Sequence, residues 1–457
     1  MNQSNIAKFG GTSLADFAAM QRCADVVLSD PNTRLVVVSA SSGVTNLLVA
    51  LSHGTLSEVD RLQALDDIAQ IQQRIVEHLA LSNEVLERVR HLLVQMNDTS
   101  LAIANGPSAA LTDKLLSFGE RLSSTLFSQV LIARGAQSVC FDVRDVLKTD
   151  GQHGKAIPQV DDIAPLVEER LQPLLNDNIV VTQGFIGSNS QGETTTLGRG
   201  GSDYSAALLG EAINAAQINI WTDVTGIFTT DPRITNQAYA LEEISFNEAA
   251  EMATFGAKVL HPSTLIPAMR KNIPVFVGSS RDPQAGGTIV RNETESKPVY
   301  RAIALRREQT LLTVTSMDML HAPGFLARVF TILAKYNLSV DLVTTSEISV
   351  ALTLDNTGSN SSGQHQLSDE LLAELREVCQ VTIENGLALV ALIGNGIDSS
   401  YGVGTRLFST LEDVNVRMIC QGASSHNLCF LVDEEVAASV VSRLHSSMFE
   451  NNREGVA

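Results

Sequence analysis

The densest group of chemically reactive side chains in the sequence lies at residues 194–203 (TTTLGRGGSD). Glycine amides and neighbouring hydroxyls can bind oxygen atoms, and the guanidinium of Arg199 can grip a carboxylate or a phosphate with two parallel hydrogen bonds. Ser202 adds a hydroxyl, and Asp203 stands where a helix is predicted to begin, so it could also be an N-cap. A purely structural turn would not require an arginine among so many glycines, and we therefore favour an anion-binding site.

A second candidate segment, residues 8–13 (KFGGTS), follows a short predicted strand and precedes a helix. The paired glycines Gly10 and Gly11 let backbone N–H groups approach an anion, and a helix N-terminus adds a partial positive charge. Lys8 would bring a full charge to the same place. The spacing fits neither a P-loop nor GxGxxG. Taken alone, a turn of this kind is more often structural than functional.

Two further segments could complete such a site. Residues 222–233 (TDVTGIFTTDPR) begin at the end of a predicted strand, which is where ligands of open α/β sheets bind. The alternative is a turn marked by Gly226. In residues 255–262 (FGAKVLHP), Lys258 follows a glycine, and in isolation this pattern indicates a helix C-cap with a basic flank. His261, which precedes a proline, is by itself more often structural.

Four cations flank these glycine-rich turns: Lys8, Arg199, Arg233 and Lys258. In an acidic chain, such a group suggests a polyphosphate site in which Mg²⁺ bridges the phosphates. Glu120, on a predicted helix, would ordinarily be solvated. The sequence has no HExxH motif, no clustered Cys and His with metal-ligand spacing and no GxSxG elbow. This argues against a metal held by protein side chains and against the usual hydrolases.

Composition limits the classes of protein to which the chain can belong. It has 457 residues, 44% hydrophobic and 18% charged, with 32 Lys and Arg against 51 Asp and Glu and a formal net charge of −19. These values are typical of a globular protein and argue against a general binder of nucleic acid or anionic membranes, because phosphate affinity needs clustered cations.

Five cysteines without CxxC spacing indicate a reducing compartment. With no secretory signal and no apolar run of about 18 residues, we expect a cytoplasmic, soluble protein.

Short apolar strands alternate with amphipathic helices over the first two thirds of the chain, and these elements must position the reactive segments. Continuous apolar runs predict buried strands at residues 35–39, 178–183, 218–222 and 274–278. Helical spacing predicts helices at residues 60–80, 83–97 and 111–134, with Thr112 as the N-cap of the last. The alternation predicts a largely parallel sheet covered by helices.

The C-terminal third contains an internal repeat with an offset of 78 residues. Gly324 and Gly402 each precede a helical pattern with matching apolar positions, and the match continues through the strands that follow. Each copy is predicted to run strand, helix, strand, strand, helix, which is the ferredoxin-like pattern; the alternative is chance similarity. Glycine, proline and mixed charge at residues 281–300 indicate a domain boundary, and residues 357–366 indicate a mobile loop.

The four motifs together resemble those of the amino-acid-kinase family and, within it, of the lysine-sensitive aspartokinases. The resemblance covers nearly the whole chain. It implies an α/β fold with a three-layer αβα catalytic domain and a mainly parallel sheet over residues 1–294. Two ferredoxin-like ACT modules would follow over residues 295–386 and 387–457, and their strands could be interleaved. It also implies ATP-dependent phosphorylation of the L-aspartate β-carboxylate to 4-phospho-L-aspartate, as the first step of lysine, threonine and methionine biosynthesis, with feedback inhibition by L-lysine. A homodimer or higher homo-oligomer would form through the ACT modules.

The resemblance also implies roles for individual residues. The phosphate cradle would comprise Lys8, Gly10 and Gly11, with Asp203 ordering the catalytic lysines and Lys258 as a second phosphate ligand. The nucleotide loop would comprise Thr222, Asp223, Phe228 and Arg233, and the aspartate site Thr45, Glu120, Arg199 and Ser202. Relatives often carry Tyr at the position of Phe228, so the hydrogen bond of that hydroxyl is not expected here, whereas ring stacking is. Mg²⁺ would be carried by ATP.

A regulatory site for L-lysine is implied in the first ACT module. Its effector loop would contain Met319, His321, Ala322, Gly324, Phe325 and Leu326, and its other wall Ser339, Val340, Asp341, Ser346 and Glu347. Two acids suit a dibasic ligand better than threonine, although they could also be exposed charges at strand ends. The second module has Ile419 and Ser425 at the two acid positions, so we do not expect it to bind lysine in the same way.

Three alternatives remain open on the sequence. The first is a kinase of the same fold acting on glutamate, carbamate or a nucleoside monophosphate; the paired ACT modules argue against it. The second is a catalytically silent lysine sensor, but such a protein is expected to have lost Lys8, Asp203 or Lys258, and all three are present. The third is a fusion to a homoserine dehydrogenase, for which the chain is expected to leave no room.

Overall fold

The computed structural model describes residues 4–256, 260–320, 323–355 and 367–450. The site residues Lys258, His321 and Ala322, and the loop at residues 357–366, lie outside these ranges. The chain divides into two compact units. The first comprises Met1–Ile227, Ala240–Ala250 and Val259–Thr294, and the second comprises Phe228–Tyr239, Glu251–Lys258 and Glu295–Ala457.

The first unit contains ten strands among the residues that the structure describes. These are β1 Asn5–Phe9, β2 Thr33–Val38, β3 Ser138–Phe141, β4 Ile179–Gln183, β5 Ile186–Ser188, β6 Thr194–Thr196, β7 Gln217–Thr222, β8 Glu243–Ser245, β9 Val275–Ser279 and β10 Gly287–Arg291. Its helices are α1 Phe17–Ser29, α2 Val44–Ser52, α3 Glu58–Val76, α4 Asn83–Asn105, α5 Ala109–Ala133, α6 Val160–Leu166, α7 Gln172–Leu175, α8 Gly201–Ile213 and α10 Pro262–Lys271, whereas α9 Phe246–Thr254 has residues in both units.

Eight of these strands form one sheet in the order β3-β4-β2-β1-β7-β9-β10-β8. All neighbours pair in parallel except β9 and β10. The predicted α/β fold with a mainly parallel sheet is therefore confirmed. Because β1, β2, β7 and β9 run in the same direction, their carboxyl ends meet at one edge, where ligands of open α/β sheets bind.

Helix α5 crosses this unit and is buried along most of its length. It begins at Ala109, and the hydroxyl of Ser108 accepts the Leu111 amide at 3.2 Å as the N-cap. The prediction that Thr112 caps this helix is wrong, because Thr112 already lies inside the first turn. Gly119 lets α5 approach the end of β2 closely, since a Cβ there would lie 2.7 Å from the Ala40 Cβ.

The second unit contains a six-stranded antiparallel sheet in the described part of the chain, in the order β12-β13-β11-β14-β16-β15. Its strands are β11 Ala302–Thr315, β12 Val343–Thr345, β13 Ser349–Asp355, β14 Gln380–Ile393, β15 Met418–Gln421 and β16 Asn427–Asp433. Its helices are α11 Phe325–Lys335, α12 Asp369–Arg376, α13 Val403–Thr410 and α14 Glu434–His445.

The internal repeat is visible in these elements. Gly324 and Gly402 cap α11 and α13 with φ of 90° and 77°, a conformation that favours glycine. The two long strands β11 and β14 pair with each other along their lengths, with register shifts around Gln309. Residues 302–306 pair with the half of β14 that adjoins β16, whereas residues 309–315 also pair with β13. Each ferredoxin-like module is thus completed by a strand segment from the other.

None of the helices among the described residues is long and apolar enough to span a membrane.

Candidate active site

The centre of the candidate site is a lysine–aspartate pair at the carboxyl edge of the large sheet. Lys8 is the fourth residue of β1 and only 8% exposed, and its Nζ lies 2.5 Å from Oδ1 of Asp203. Asp203 lies in the first turn of α8, whose N-cap is Gly200 with a left-handed backbone and no side-chain cap. Asp203 therefore does not act as an N-cap. Its buried Oδ1 makes no aligned hydrogen bond, so the contact with Lys8 is an ion pair.

The two glycines after Lys8 leave space beside its ammonium. The Gly10 amide donates to the Trp221 carbonyl at 3.3 Å, and a Cβ on Gly10 would lie 3.7 Å from the Lys8 Nζ. A Cβ on Gly11 would lie 2.8 Å from the Ala40 carbonyl oxygen. A larger residue at Gly11 would therefore push β1 away from the end of β2, whereas a Cβ at Gly10 would lie in ordinary van der Waals contact with the lysine. The turn is a cradle that side chains would fill.

The ends of β1, β7 and β9 are joined by serines that sequence reasoning missed. The Thr222 carbonyl accepts the Ser280 amide at 2.8 Å and its hydroxyl at 3.1 Å, and the Ser13 and Ser280 hydroxyls lie 2.6 Å apart. Thr222 donates its hydroxyl to Asp223 at 3.2 Å, and Asp223 is exposed. The serines gave no motif signal because their partners are distant in sequence.

Two predicted nucleotide residues belong to the second unit. Phe228 is half-buried, and Arg233 is 86% exposed and pairs with Asp231 at 2.6 Å, which raises the pKa of the guanidinium. The same segment is held by Thr229, whose hydroxyl lies 2.9 Å from Nε2 of His445. Four cations were predicted to share one pocket. Lys8 and Arg199 lie in the first unit and Arg233 lies in the second, whereas Lys258 is outside the described residues.

Glu120 is not the solvated helical glutamate that sequence reasoning would ordinarily assign. Its side chain on α5 is only 5% exposed, and its Oε1 accepts the Ala40 amide at 3.1 Å. Burial raises the pKa of this carboxyl to about 8, and the Ala40 hydrogen bond offsets only part of the rise. A buried carboxyl that is largely protonated at neutral pH is suited to receive a cationic group, which would stabilise its ionised form.

The glycine-rich turn before α8 presents Arg199 to solvent. Arg199 lies between Gly198 and Gly200, whose φ values are 75° and 71°, and a Cβ at Gly200 would lie 2.5 Å from the His261 Cβ. His261 caps α10 by accepting the Ser263 amide at 3.3 Å. Its pKa is lowered by burial and then by the positive charge of Arg199. The charge of Asp203, the partner of Lys8, acts on the same imidazole, so Arg199 and Asp203 both lie within electrostatic reach of His261.

The remaining predicted aspartate contacts are Thr45 and Ser202. Thr45 is the exposed second residue of α2, and Ser202 is half-buried in the first turn of α8. Ser202 packs so tightly against Gly184 that a Cβ at Gly184 would lie 2.6 Å from the serine Cβ. Both hydroxyls lie in the same unit as Lys8 and Glu120.

Sequence reasoning missed two further residues at this site. Phe185 follows β4 with φ of 69°, accepts the Leu197 amide on its carbonyl at 2.9 Å and donates its own amide to Ser205 at 3.0 Å. Such a backbone is unusual for a bulky residue and concentrates at functional sites. Lys155 is exposed, and its charge also lowers the pKa of His261. Nothing in the sequence marks Phe185 as a site residue. Lys155, in contrast, is a cation directly after a glycine, a pattern that could have marked it as a candidate anion ligand.

Among the described residues, no group of three or more His, Cys, Asp or Glu side chains could hold a metal ion.

The predicted lysine site lies in the second unit. Met319 belongs to the short helix Met317–Leu320, Phe325 is buried and Leu326 is 40% exposed at the start of α11. Ser339, Val340 and Asp341 precede β12, and Ser346 and the exposed Glu347 lie between β12 and β13. The Asp341 carboxylate is 3.2 Å from the Arg306 guanidinium, which also donates to the Thr254 carbonyl. Asp341 is therefore already paired with a cation.

Comparison with known proteins identifies the family. Residues 4–279 match the model of the amino acid kinase family, and residues 390–448 match a model of the ACT domain. Lysine-sensitive aspartokinase 3 of Escherichia coli (strain K12) is 57% identical over 450 residues, which are 98% of this chain and 100% of that protein. Aspartokinase 1, chloroplastic, of Arabidopsis thaliana is 37% identical over 98% of this chain and 80% of its own length.

Solved structures agree with this result. The crystal structure of E. coli aspartokinase III with aspartate and ADP, in the R-state, matches with a TM-score of 0.91 at 57% identity, covering 98% of this chain and 100% of that one. The T-state structure of that protein with lysine and aspartate matches with a TM-score of 0.83, covering 98% and 99%. The resemblance found in the four motifs is therefore confirmed, and the chain belongs to the amino acid kinase family and, within it, to the aspartokinases.

Proposed function

We propose that the protein is a lysine-sensitive aspartate kinase, which transfers the γ-phosphoryl group of MgATP to the β-carboxylate of L-aspartate and forms 4-phospho-L-aspartate. The observation that carries the proposal is the buried Lys8–Asp203 ion pair beside the open glycine turn. The relatives named above support the choice of aspartate, because their names and bound ligands include it. Residues 1–294 would form the catalytic domain, and the reaction would take place in the cytoplasm.

The chemistry requires positioning more than proton transfer. The β-carboxylate of aspartate has an unperturbed pKa of about 3.9, so the nucleophile is already ionised at neutral pH and needs no general base. The main obstacle is repulsion between this carboxylate and the triphosphate, which fixed cations can screen. Lys8 would stabilise the charge on the transferring phosphoryl group, and Asp203 would hold the Lys8 ammonium in place. Mg²⁺ would enter with ATP and neutralise phosphate charge.

The nucleotide would be bound around the first glycine turn. Gly11 would offer its backbone N–H group to the phosphates, and Gly10, whose amide donates to the Trp221 carbonyl, would let them approach because it has no side chain. Thr222 and Asp223 would follow at the end of β7. On the resemblance alone, we also assign Phe228, Arg233 and Lys258 to the nucleotide. Phe228 can stack on a base but has no hydroxyl to donate.

Aspartate would be held by its two other charged groups. Arg199 would bind the α-carboxylate with paired hydrogen bonds, and the Glu120 carboxylate would pair with the α-ammonium. Thr45 and Ser202 would add neutral hydrogen bonds. Because the pKa of Glu120 is about 8 without substrate, binding of the ammonium at neutral pH would release its proton.

The direct test is incubation with MgATP and L-aspartate, with hydroxylamine added to trap the acyl phosphate. We expect a hydroxamate of aspartate, and less of it when L-lysine is added. Acyl phosphate formation with glutamate or carbamate but not aspartate would favour a different kinase of the same fold. Lysine binding without turnover of any acceptor would favour a catalytically silent sensor.

Replacement of Arg199 tests the aspartate site. We expect Arg199→Ala to raise the KM for aspartate about 10²-fold, because two charge-assisted hydrogen bonds worth about 1.5 kcal/mol each are lost. The KM for ATP should stay within twofold of wild type in steady-state kinetics. Arg134→Ala is a matched control, because Arg134 pairs with Asp25 on the protein surface. An unchanged KM for aspartate in Arg199→Ala would remove Arg199 from the site.

Regulation by L-lysine would act through the first ACT module. Asp341 and Glu347 would bind the two ammonium groups, and the α-carboxylate would lie near the start of α11 at Gly324, where backbone amides point outward. Because Asp341 is already paired with Arg306, the incoming ammonium must compete with that guanidinium. A coupling free energy of about 1–3 kcal/mol between effector and substrate binding is typical of allosteric enzymes.

The double variant Asp341→Ala, Glu347→Ala tests the effector site. We expect the lysine concentration for half-maximal inhibition to rise at least about tenfold, because about 1.4 kcal/mol or more of lysine-binding free energy is lost. The kcat in the absence of lysine should stay close to wild type. Glu384 and Asp413 form ion pairs with Arg417 and Arg443 in the same unit. The double variant Glu384→Ala, Asp413→Ala should therefore keep the normal lysine response. Retention of normal inhibition in the first variant would show that lysine binds elsewhere.

A further inference from the structure

Helix α5 carries a second buried acid, Asp113, that takes no part in the chemistry proposed above. Its side chain is fully buried, and it accepts hydrogen bonds from four groups. The Thr196 hydroxyl donates at 2.6 Å and the Thr196 amide at 3.1 Å, the Gly154 amide lies 3.0 Å away, and Nδ1 of His153 lies 2.9 Å away. A carboxylate has about four lone-pair positions, so this one is fully occupied by donors.

The donors belong to two segments that are otherwise loops or short strands. Thr196 is the last residue of β6 and comes three residues before Arg199. Its carbonyl accepts the Ala156 amide at 2.8 Å, which ties residues 153–156 to the end of β6. Gly198 lies directly against Gly154, because a Cβ at Gly198 would be 3.3 Å from the Gly154 carbonyl oxygen. The turn that carries Arg199 therefore rests on the segment that Asp113 holds.

We propose that Asp113 is a positioning residue for the aspartate substrate, which fixes the Arg199 turn relative to Glu120. The inference rests on the proposed function, in which Arg199 and Glu120 bind opposite charges of aspartate. Asp113 and Glu120 are seven residues apart on α5, so they lie on the same face of the helix, about 10 Å apart along its axis. Helix α5 therefore carries Glu120, which would bind the α-ammonium of aspartate. Through Asp113, the same helix anchors the turn that carries Arg199, which would bind the α-carboxylate.

A role in stability alone makes a different prediction. A fully hydrogen-bonded buried carboxylate stabilises a fold wherever it lies. If that were its only role, its loss would lower the free energy of unfolding but would not change the KM for aspartate relative to the KM for ATP. A positioning role acts through Arg199. Its loss should weaken aspartate binding only when the Arg199 guanidinium is present, and it should leave ATP binding unchanged.

The experiment is a double-mutant cycle on steady-state kinetics of the full chain. Asp113→Asn replaces one acceptor oxygen with an amide group that faces N–H donors. We expect the KM for aspartate to rise about 10–30-fold and the KM for ATP to stay within twofold. In Asp113→Asn, Arg199→Ala we expect a KM for aspartate within twofold of that of Arg199→Ala alone, because no guanidinium is left to position. An unchanged KM in the single variant, or additive effects in the cycle, would overturn the proposal.

A milder pair of variants decides the matter if Asp113→Asn does not fold. Thr196→Val removes the 2.6 Å hydrogen bond while keeping the shape of the side chain, and Thr196→Ser keeps the hydroxyl. We expect the KM for aspartate to rise about threefold or more in Thr196→Val and to return to near wild type in Thr196→Ser. Equal values in the two variants would contradict the positioning role.

A matched control comes from Asp30 in the same unit. Asp30 accepts hydrogen bonds from the Asn5 side chain, the Asn32 amide and the Thr33 hydroxyl at 2.8–2.9 Å, beside the amino ends of β1 and β2. Asp30→Asn should lower the melting temperature while leaving the KM for aspartate unchanged. A rise in that KM similar to the rise in Asp113→Asn would count against the proposal. A wild-type enzyme that makes no aspartyl phosphate would instead overturn the proposed function.

Discussion

Lys8→Met is expected to lower kcat at least about 10³-fold while changing the KM for aspartate only a few-fold. The loss corresponds to about 4 kcal/mol of transition-state stabilisation, which is the size expected when a fixed charge next to a transferring group is removed. Methionine keeps the apolar stem of Lys8 within β1, so packing in the sheet should survive. The measurement is steady-state kinetics with saturating MgATP, and near-normal turnover would remove Lys8 from the mechanism.

Stability has to be separated from catalysis in this test. Lys8→Met leaves Asp203 without its ion-pair partner, and both side chains are at most 15% exposed, so the variant should also be less stable. The double variant Lys8→Met, Asp203→Asn removes the unpaired charge and should recover much of the melting temperature. It should not recover kcat. Recovery of both would mean that Lys8 supports the fold and has no part in phosphoryl transfer.

The parts of the fold and site that lie in continuous segments were predictable from the sequence. Parallel strands buried on both faces have continuous apolar runs, and the predicted strand at residues 35–39 corresponds to β2. The first two residues of KFGGTS are the last two of β1, so the place of this segment at the carboxyl edge of the sheet follows from the strand itself. The N-cap of α5 was missed because Ser108 and Thr112 are both suitable residues, and only the start of the helix distinguishes them.

Other features depend on contacts between residues distant in sequence and could not be predicted. The burial of Glu120 depends on the end of β2, where Ala40 is 80 residues away. The hydrogen bonds of Asp113 join residues 41 and 83 positions apart. No pattern of residue types within α5 distinguishes these acids from solvated ones, because the elements that cover them come from elsewhere in the chain.

The exchange of strand segments between the two ACT modules has the same origin. A continuous strand such as β11 looks like the first strand of one module, and nothing in its apolar pattern indicates that residues 302–306 complete the other. The pairing of β11 with β14 shifts register between Arg306 and Gln309. Glu308, which lies within this irregularity, has a left-handed backbone with φ of 58° although it is not glycine. A glycine there would have marked the change of module in the sequence, whereas glutamate gives no such signal.

Glu120→Gln should have opposite effects on stability and on aspartate binding. In the folded protein the pKa of Glu120 is about 8, above its ordinary value of 4.5. Between these two pH values Glu120 is protonated in the folded state and ionised in the unfolded state. The free energy of unfolding of the wild type therefore falls as the pH rises. Glutamine keeps an acceptor for the Ala40 amide and cannot ionise. At pH 8 we expect the variant to be more stable by about 2–4 kcal/mol in chemical denaturation.

The same substitution should raise the KM for aspartate at least about 10²-fold, because a neutral amide cannot pair with the α-ammonium in a buried site. Glu248→Gln is the matched control. Glu248 is also fully buried, but its carboxylate accepts hydrogen bonds from Ser245 at the start of α9, so the KM for aspartate should not change. A normal KM in Glu120→Gln would exclude Glu120 as the ammonium ligand.

The pH dependence of the wild type provides a test that needs no substitution. In the proposed function, aspartate binds the ionised form of Glu120, whose pKa is about 8. The kcat/KM for aspartate should then rise about tenfold per pH unit below about pH 8 and level off above it, until the substrate ammonium itself deprotonates. Calorimetric titration of aspartate at pH 7, in buffers of different ionisation enthalpy, should detect the release of nearly one proton. Glu120→Gln should show neither the rise nor the proton release. If the wild type released no proton, the carboxyl would already be ionised before aspartate arrives, and its burial could not be the source of the pH dependence.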